Sequence, residues 1–316
     1  MNRKLHILPI VLFILLCSIQ ALAQEKDTLS DNTGYLEQLL DSDVRNNRDM
    51  PGYHTTATFK STRIINGQSI ENVGKGTLDF RISHRFGELN EGIQNLYGLD
   101  NATTKFGFDY GLTDWLTAGI GRSSFEKEYD AFFKVKLLRQ TVDDQIPVSV
   151  SYLCGMSATT MDVVNIPGYT YYLSNRLFYV DQFLIARKIS KVLSLQLMPT
   201  YLHYNLVSNP GDPNDVLAIG IGGRIKLSKH IALTGEYYYV IPGHQLAGYN
   251  NPVSLGIDIE TGGHVFQLFA SNAANITERT FIGETQGDIS KGAIHLGFNI
   301  SRVFTVVKPK EPKKQE

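Results

Sequence analysis

The stretch that decides the fold is Leu217-Ala218-Ile219-Gly220-Ile221-Gly222-Gly223-Arg224-Ile225-Lys226-Leu227. Apolar side chains alternate along it with glycine, arginine and lysine. Successive side chains of a β-strand point to opposite faces, so this pattern predicts a strand with one apolar and one polar face. Strands of soluble proteins are usually about five or six residues long, whereas a tilted strand that crosses a bilayer needs about ten. The stretch therefore predicts a membrane-spanning strand.

The same alternation recurs along most of the chain and predicts an all-β fold, a transmembrane antiparallel up-and-down β-barrel of about 12 strands. The predicted strands are 76–86, 103–112, 115–123, 130–140, 146–156, 175–189, 191–204, 215–227, 230–241, 252–260, 264–271 and 291–304. The weakest of them is 175–189, because its alternation breaks around Asp181 and Gln182. Glycine on the polar faces suits a closed barrel, where inward side chains are crowded.

The connections between these strands give an independent argument. Tight turns are predicted at Thr113-Asp114, Ser190-Lys191, Ser228-Lys229 and Thr261-Gly262-Gly263, and long connections at 87–102, 158–174, 205–214, 242–251 and 273–290. Outer-membrane barrels alternate short periplasmic turns with longer external loops, whereas a soluble β-sandwich has no reason to do so. An even strand number then places both termini in the periplasm.

The segment 55–66 is also strand-like, through Ala57, Phe59 and Ile64. Three interpretations stay open for it. It pairs with the first strand of the barrel, it enters the lumen, or it raises the strand count to 14.

The first residues predict export. Arg3 and Lys4 precede an apolar run from Ile7 to Ile19, and Ala21-Leu22-Ala23 has the small residues that a signal peptidase reads. We expect a signal peptide at 1–23, a periplasmic leader at 24–54, a barrel at 55–304 and a disordered periplasmic tail at 305–316. The expected location is the bacterial outer membrane.

Composition excludes several other classes. The mature chain has no second apolar run of the roughly 18 residues that a spanning helix needs. The net charge of −1 gives no electrostatic case for nucleic acid. The two cysteines are Cys17, in the signal peptide, and Cys154, so no internal disulfide is expected.

The polar faces of the predicted strands supply the candidate site. By parity, the charged residues expected to face the lumen are Asp79, Arg81, Arg85, Lys105, Asp109, Lys134, Lys136, Arg224, Lys226, Glu236, Asp258 and Glu260. Charge on the lipid face would cost roughly 2–4 kcal/mol for Arg or Lys at the bilayer midplane. Two interpretations stay open: a polar channel that its basic residues bias toward anions, or a lumen sealed by ion pairs across strands.

Catalysis and metal binding find little support. An outer-wall lipid hydrolase needs a nucleophile beside a base, and His84 has outward parity, but no G-x-S-x-G motif occurs. His203, His230, His244, His264 and His295 lie singly, without ligand spacing, and Gly211-Asp212-Pro213-Asn214-Asp215 lacks the pattern of a calcium loop. We expect no catalytic, cofactor or metal residues.

Aromatic residues fall near strand ends, where barrels carry interfacial girdles. They are Trp115, Tyr237, Tyr239 and Phe304, and Phe304 also suits recognition of the last strand by the barrel-assembly machinery. Tyr169, Tyr171 and Tyr172 cluster in the connection 158–174. They suit a recognition surface or the membrane belt equally well.

Three segments carry a family resemblance. Phe59-Lys60-Ser61-Thr62-Arg63, then Gly76-Thr77-Leu78-Asp79-Phe80-Arg81-Ile82-Ser83-His84-Arg85-Phe86-Gly87, then Asp109-Tyr110-Gly111-Leu112-Thr113, resemble an outer-membrane β-barrel family of Bacteroidota that is known only as a domain of unknown function. The resemblance covers about 50–304. It implies an outer-membrane barrel and hints at a periplasmic redox or lipid-binding partner.

The sequence therefore leaves three functional hypotheses. The first is a passive outer-membrane channel for small polar or anionic solutes. The second is a non-transporting scaffold that holds a periplasmic or surface partner, and the third is an outer-membrane lipid hydrolase. A lumen with a continuous water path favours the first, and a lumen closed by salt bridges or by the N-terminal segment favours the second.

Overall fold

The computed structural model describes residues 53–161, 170 and 172–307. Twelve strands form within them: β1 Thr77–Glu88, β2 Ala102–Gly111, β3 Leu116–Ser123, β4 Tyr129–Leu138, β5 Ser149–Ala158, β6 Leu177–Lys188, β7 Leu193–Tyr204, β8 Asp215–Lys226, β9 Ile231–Val240, β10 Val253–Thr261, β11 His264–Ser271 and β12 His295–Thr305. The predicted strand count is confirmed, and the uncertain strand 175–189 forms as β6.

The strands make one closed antiparallel barrel in which each pairs with its neighbours in sequence. β1 pairs with β12 and closes the barrel, so that Ile82 lies opposite Ile300 on one side and Phe106 on the other. Closure leaves no strand edge unpaired, which a sheet in lipid requires. Side chains such as Ile120, Ile221 and Leu255 lie on the outer surface with more than half of their area exposed.

Among the described residues, helical structure is limited to short turns. The 3₁₀ turns are Leu89–Glu91, Ile93–Gly98, Phe125–Lys127, Leu173–Arg176 and Ile289–Lys291, and one π-helical turn spans Arg279–Gly283. None of the helices among the described residues has the length and apolarity needed to cross a membrane.

The two ends of the barrel differ. At one, here called the turn end, tight links at 112–115, 189–192, 227–230 and 262–263 join the strands. At the other, the loop end, most links are long: 89–101, 159–176, 205–214, 241–252 and 272–294. Thr77 begins β1 and Thr305 ends β12, and these two residues pair at the turn end.

The N-terminal part of the described chain does not join the wall. Residues 53–76, here called the plug, enter at the turn end, where His54 bridges to Thr141, and return there, where Lys75 bridges to Gly111. Between these points, ten consecutive residues, 61–70, are buried. Of the three interpretations of 55–66, the structure therefore supports entry into the lumen, and the wall begins at Thr77 rather than at residue 55.

A second segment fills the lumen from the opposite end. The link 272–294 carries the π-helical turn, and residues 276–283 are all buried. The expectation of an external loop is wrong for these residues, because apolar side chains such as Ile276, Phe281 and Ile282 are drawn into the barrel.

Candidate functional site

The plug ends in a tight hairpin that the wall holds by its backbone. The Ile64 amide donates to the Gly67 carbonyl at 2.8 Å, and the Ser69 amide donates to the Thr62 carbonyl at 2.9 Å. A Cβ added to Gly67 would lie 2.3 Å from the Tyr238 hydroxyl. Only glycine fits at this turn, where the plug meets β9.

One carboxylate receives the tip of this hairpin. Glu236, on β9, accepts hydrogen bonds from the amides of Asn66 at 2.7 Å, Gly67 at 3.0 Å and Ile65 at 3.4 Å. These bonds are stronger than neutral ones because the acceptor carries charge. Glu236 is thus a docking point for the plug rather than a free channel charge.

Side-chain amides of the wall satisfy the rest of the plug backbone. Gln196 on β7 accepts from the Ile70 amide and donates to the Gln68 carbonyl, both at 2.7 Å. Gln267 on β11 donates to Ile64, and Asn299 on β12 to Ile65. An irregular segment inside a barrel can persist only when its backbone groups are paired in this way.

The lysine at the centre of β4 binds the plug in the same manner. The buried Lys134 ammonium donates to the Glu71 carbonyl at 2.6 Å, the Ser69 carbonyl at 3.1 Å and the Gln68 side chain at 3.3 Å. Its bonds run to neutral oxygens and not to a carboxylate.

The wall formed by β1–β4, here called the polar half, carries ion pairs. Arg81 lies 2.8 Å from Asp79 and 3.0 Å from Asp109, and Lys105 lies 2.9 Å from Asp130. Thr62 of the plug donates to Asp109 at 2.9 Å. The contact between the plug and this half of the wall is therefore polar.

The wall formed by β6–β9, here called the apolar half, buries hydrocarbon side chains of the plug in addition to the hydrogen bonds of Gln196 and Glu236. Phe59, Ile64 and Ile70 of the plug belong to one buried cluster. The wall and the link 272–294 contribute to it Leu184, Met198, Leu202, Val216, Ala218, Tyr238, Phe281 and Ile282.

The two segments that fill the lumen meet at an ion pair. Arg63 of the plug lies 2.5 Å from Glu278, and both side chains are buried. Arg63 also donates to the Asn66 carbonyl at 3.0 Å, which steadies the hairpin. The plug and the inward part of the 272–294 link thus close the lumen together.

Toward the loop end, a charged cluster lines a wide cavity of about 760 Å³. Arg279 lies 2.5 Å from Glu126, 2.7 Å from Glu284 and 3.3 Å from Glu128, and its guanidinium stacks 4.3 Å above the Phe178 ring. Burial, reinforced by Glu126 and Glu128 and opposed by Arg279, raises the pKa of Glu284 to about 7.

The structure places the residues expected in the lumen as follows. Asp79, Arg81, Arg85, Lys105, Asp109, Lys134, Arg224, Glu236 and Asp258 are buried, and Lys136, Lys226 and Glu260 are partly buried. Asp79, Arg81 and Asp109 form one cluster, whereas Glu236 and Lys134 bind the plug separately. Glu260 lies 2.9 Å from Lys60 of the plug.

Sequence reasoning missed several residues of the site. Asp130, Gln196, Gln267 and Asn299 have inward parity on predicted strands, so the alternation could have found them. Glu278 and Arg279 lie in a long link, where no periodic signal exists. The role of Arg63 depends on the insertion of the plug, which the sequence left open.

The hydrolase hypothesis can be examined at His84, on the outer surface of β1. The Thr104 hydroxyl lies 3.0 Å from Nδ1 of its ring, which is the distance of a nucleophile from its base. The ring is flanked by Phe86 and Phe298. Within the described ranges no carboxylate or amide orients this histidine, so the third member of a triad has no candidate there.

Two of the scattered histidines, His203 and His244, meet at Asp215, but they form no metal site. Nδ1 of His203 lies 2.6 Å from Asp215, and Nδ1 of His244 lies 3.0 Å from the Asp215 carbonyl. In the part of the chain that the structure describes, no group of three or more His, Cys, Asp or Glu could hold a metal ion.

The aromatic residues expected at the membrane interface lie on the outer surface. Trp115, Tyr237, Tyr239 and Phe304 expose between 36% and 54% of their surface. Of the loop tyrosines, Tyr172 is exposed, and Tyr169 and Tyr171 lie outside the described residues, as do the expected signal peptide, nearly all of the leader, and the tail beyond residue 307.

Comparison with known proteins gives one sequence family. Residues 59–304 match the model of DUF5777, described as a membrane-bound β-barrel domain. No curated protein sequence matches the chain.

Solved structures with a similar arrangement are distant in sequence. The NanC porin is 10% identical, with 73% of this chain and 100% of that chain covered and a TM-score of 0.45. An outer membrane channel from Pseudomonas putida F1 is 13% identical, with 74% and 98% covered and a TM-score of 0.44. Outer membrane phospholipase A from Escherichia coli is 14% identical, with 71% and 89% covered and a TM-score of 0.39. At these values none of the three brings an activity to this chain.

Proposed function

This chain belongs to the membrane-bound β-barrel domain family DUF5777, and we propose that it is an outer-membrane channel gated by its own N-terminal plug. The barrel is closed in the described conformation. It passes small polar solutes, with a preference for anions, when the plug shifts. In this proposal both termini face the periplasm.

The burial of residues 61–70 inside the barrel carries this proposal. The chain connects the plug to the wall at Thr77, so the plug can shift without breaking a pairing between two barrel strands. The bridges of His54 to Thr141 and of Lys75 to Gly111 are its backbone contacts at the turn end. Many of its contacts are hydrogen bonds to wall side chains. A bond of this kind between neutral groups is worth about 1 kcal/mol net, and one to the Glu236 carboxylate about 1.5–3 kcal/mol, because water replaces it when the contact opens.

The solute class follows from the charges that movement of the plug would release. Lys134 binds carbonyl oxygens of the plug. Arg85 binds the side-chain oxygen of Asn66, which is also neutral. Both would face an opened lumen without a carboxylate partner. Asp109, which accepts a hydrogen bond from Thr62 of the plug, would be released as well, so the preference for anions is modest.

Single-channel conductance with a tethered plug tests the proposal. The Thr62 hydroxyl lies 2.9 Å from Oδ2 of Asp109 on β2. The double variant Thr62→Cys and Asp109→Cys is therefore chosen for a disulfide between the plug and the polar half, and mass spectrometry checks that the bond forms. Cys154 is a free cysteine and is changed to serine in the background. We expect conductance steps in the reduced double-cysteine variant and in the background protein, and none in the oxidised variant.

Equal conductance in the oxidised and reduced variants, with the disulfide verified by mass spectrometry, would contradict gating by the plug. Absence of steps in every variant would favour the second candidate, a non-transporting scaffold. The closed lumen is the observation in favour of that candidate. Its partner would be a periplasmic redox or lipid-binding protein, as the resemblance implies.

A further inference from the structure

The hydrocarbon contacts of the plug lie on one side of the lumen, the side on which Glu236 and Gln196 also bind its backbone. Against the apolar half, Ile64 and Ile70 are fully buried beside Met198 and Leu202. Against the polar half, Thr62 meets Asp109 and Asp79 by hydrogen bonds. Exposing hydrocarbon costs about 25 cal/mol per Å², whereas polar contacts are exchanged for contacts with water at little net cost.

The polar half also has a defect in its packing. A small cavity of about 20 Å³ lies between the plug and β1–β4. Its polar lining is Arg63, Asn66, Arg81, Lys105, Asp109 and Asp130, and apolar side chains such as Ile65, Phe132 and Ile276 complete it. That space suffices for one or two water molecules when polar partners are present.

Polar partners are present and have no protein contact. Nε of Arg81 and Oδ1 of Asp130 are buried atoms without a hydrogen-bond partner, and both residues line the cavity. Oδ1 of Asp79, which pairs with Arg81, is also unpartnered. A buried charged group left without a partner is costly unless water reaches it. Unpartnered buried atoms occur on the opposite wall as well, at Oε1 of Gln182 on β6 and Nε of Arg224 on β8. The two sides differ in that the cavity with its unpartnered charged groups lies against β1–β4, whereas the hydrocarbon cluster lies against β6–β9.

We infer that water and small hydrated ions cross the barrel along the polar half, between β1–β4 and the plug, while the plug remains packed on the apolar half. This inference rests on the proposed function and names the route through the same lumen. Arg81, Lys105, Asp109 and Asp130 are then the residues that set the selectivity of the route.

Cysteine accessibility tests the route in the full chain with Cys154 changed to serine. Ser83 lines the cavity on β1, and Ala218 lies in the apolar cluster on β8; both are buried. Ser83→Cys and Ala218→Cys are small changes at matched depth of burial. The probe is a water-soluble cationic methanethiosulfonate, applied to protein in lipid vesicles, and the extent of labelling is read by mass spectrometry.

We expect Ser83→Cys to be labelled at least about tenfold faster than Ala218→Cys, since a tenfold difference requires only about 1.4 kcal/mol in the free energy of opening. In a planar bilayer, the reagent should reduce the conductance of Ser83→Cys and leave that of Ala218→Cys unchanged. Equal labelling, or faster labelling of Ala218→Cys, would overturn the route.

A second pair of variants distinguishes failure of the route from failure of the channel. Asp130→Asn removes the partner of Lys105 on the polar half, and Asp258→Asn removes a buried carboxylate of β10 that bonds Thr234 and Gln267. We expect the reversal potential in a salt gradient to shift toward anions in Asp130→Asn only. A shift in Asp258→Asn alone overturns the route but keeps the channel, whereas absence of conductance in both variants and in the parent overturns both.

Discussion

At the scale of single residues, the lumen is organised by charged groups that bind backbone. Glu236 accepts hydrogen bonds from three backbone amides of the plug tip. Lys134 donates to two carbonyls and one side-chain oxygen of the plug. These residues were expected to line a channel by parity. In the closed barrel they instead hold the segment that fills it.

Replacing Glu236 should loosen the plug. Glu236→Gln retains the size of the side chain but removes its charge and turns an NH₂ group toward amide donors. Because hydrogen bonds to charged groups are worth about 1.5–3 kcal/mol, amide hydrogen exchange in residues 61–70 should accelerate by about tenfold or more. Asp100→Asn, at an exposed position in the link 89–101, serves as the control. Unchanged protection of residues 61–70 would show that Glu236 does not anchor the plug.

Glu284 should make the inward link sensitive to pH. Its pKa is raised to about 7 in the folded protein from an ordinary value of 4.5, so the folded state binds more protons than the unfolded state between these values. Stability is then greatest at low pH and falls as pH rises through about 7, by at most about 3 kcal/mol. Hydrogen exchange of residues 277–285 should be faster at pH 8 than at pH 5.5, after correction for the intrinsic rate. The difference should disappear in Glu284→Gln, and its persistence there would assign the pH dependence to another group.

At the scale of elements, each strand combines a lipid face with a lumen face. In the middle of β8, Ile221 exposes 54% of its surface on the outside, whereas the neighbouring Gly222 faces inward against Ile64 of the plug. A Cβ at Gly222 would lie 2.4 Å from the Ile64 side chain. The alternation therefore sets both the membrane contact and the space that the plug occupies.

A charge on the lipid face should destabilise the barrel. Ile221→Arg places a guanidinium near the bilayer midplane, at an expected cost of about 2–4 kcal/mol. Reversible unfolding by denaturant in lipid vesicles measures the change in free energy of unfolding. Leu99→Arg, in the link 89–101, should change it by less than about 0.5 kcal/mol, as surface substitutions usually do. Equal effects of the two substitutions would contradict the assigned lipid face.

At the scale of the whole molecule, the single tryptophan reports the position of the barrel in the membrane. Trp115 lies at the turn end beside β3 and exposes 54% of its surface. Tryptophan favours the headgroup region of a bilayer, so the turn end should lie at one interface.

Quenching of Trp115 fluorescence tests this position. A spin label near the lipid headgroup should quench it more strongly than one near the end of the acyl chain. In the double variant Trp115→Phe and Ile221→Trp, the order should reverse, because position 221 lies in the middle of a strand. Stronger quenching of Trp115 by the acyl-chain label than by the headgroup label would show that the turn end lies in the hydrocarbon region.

Two segments that enter the barrel from opposite ends close its lumen. The plug enters from the turn end, and the inward part of the 272–294 link lies on the loop-end side; the ion pair of Arg63 and Glu278 joins them. Closure therefore depends on both segments.

The wall of the barrel could be predicted from the sequence because its information is local. The alternation of Leu217–Leu227 and its repeats predicted the strand number and the faces, since side-chain direction in a strand has a period of two residues. Positions such as Asp79, Arg81 and Asp109 were identified for the same reason. The long links and tight turns were visible because glycine and polar clusters interrupt the pattern.

The contents of the lumen were decided only by the tertiary structure. Whether 55–66 becomes a strand or a plug depends on partners far away in sequence, such as Glu236, Gln267 and Asn299. The same holds for Arg63 and Glu278, which lie 215 positions apart. A strand can be identified from the period of its own side chains. An irregular segment is fixed by hydrogen bonds to the wall that encloses it, and that wall exists only after the barrel has closed.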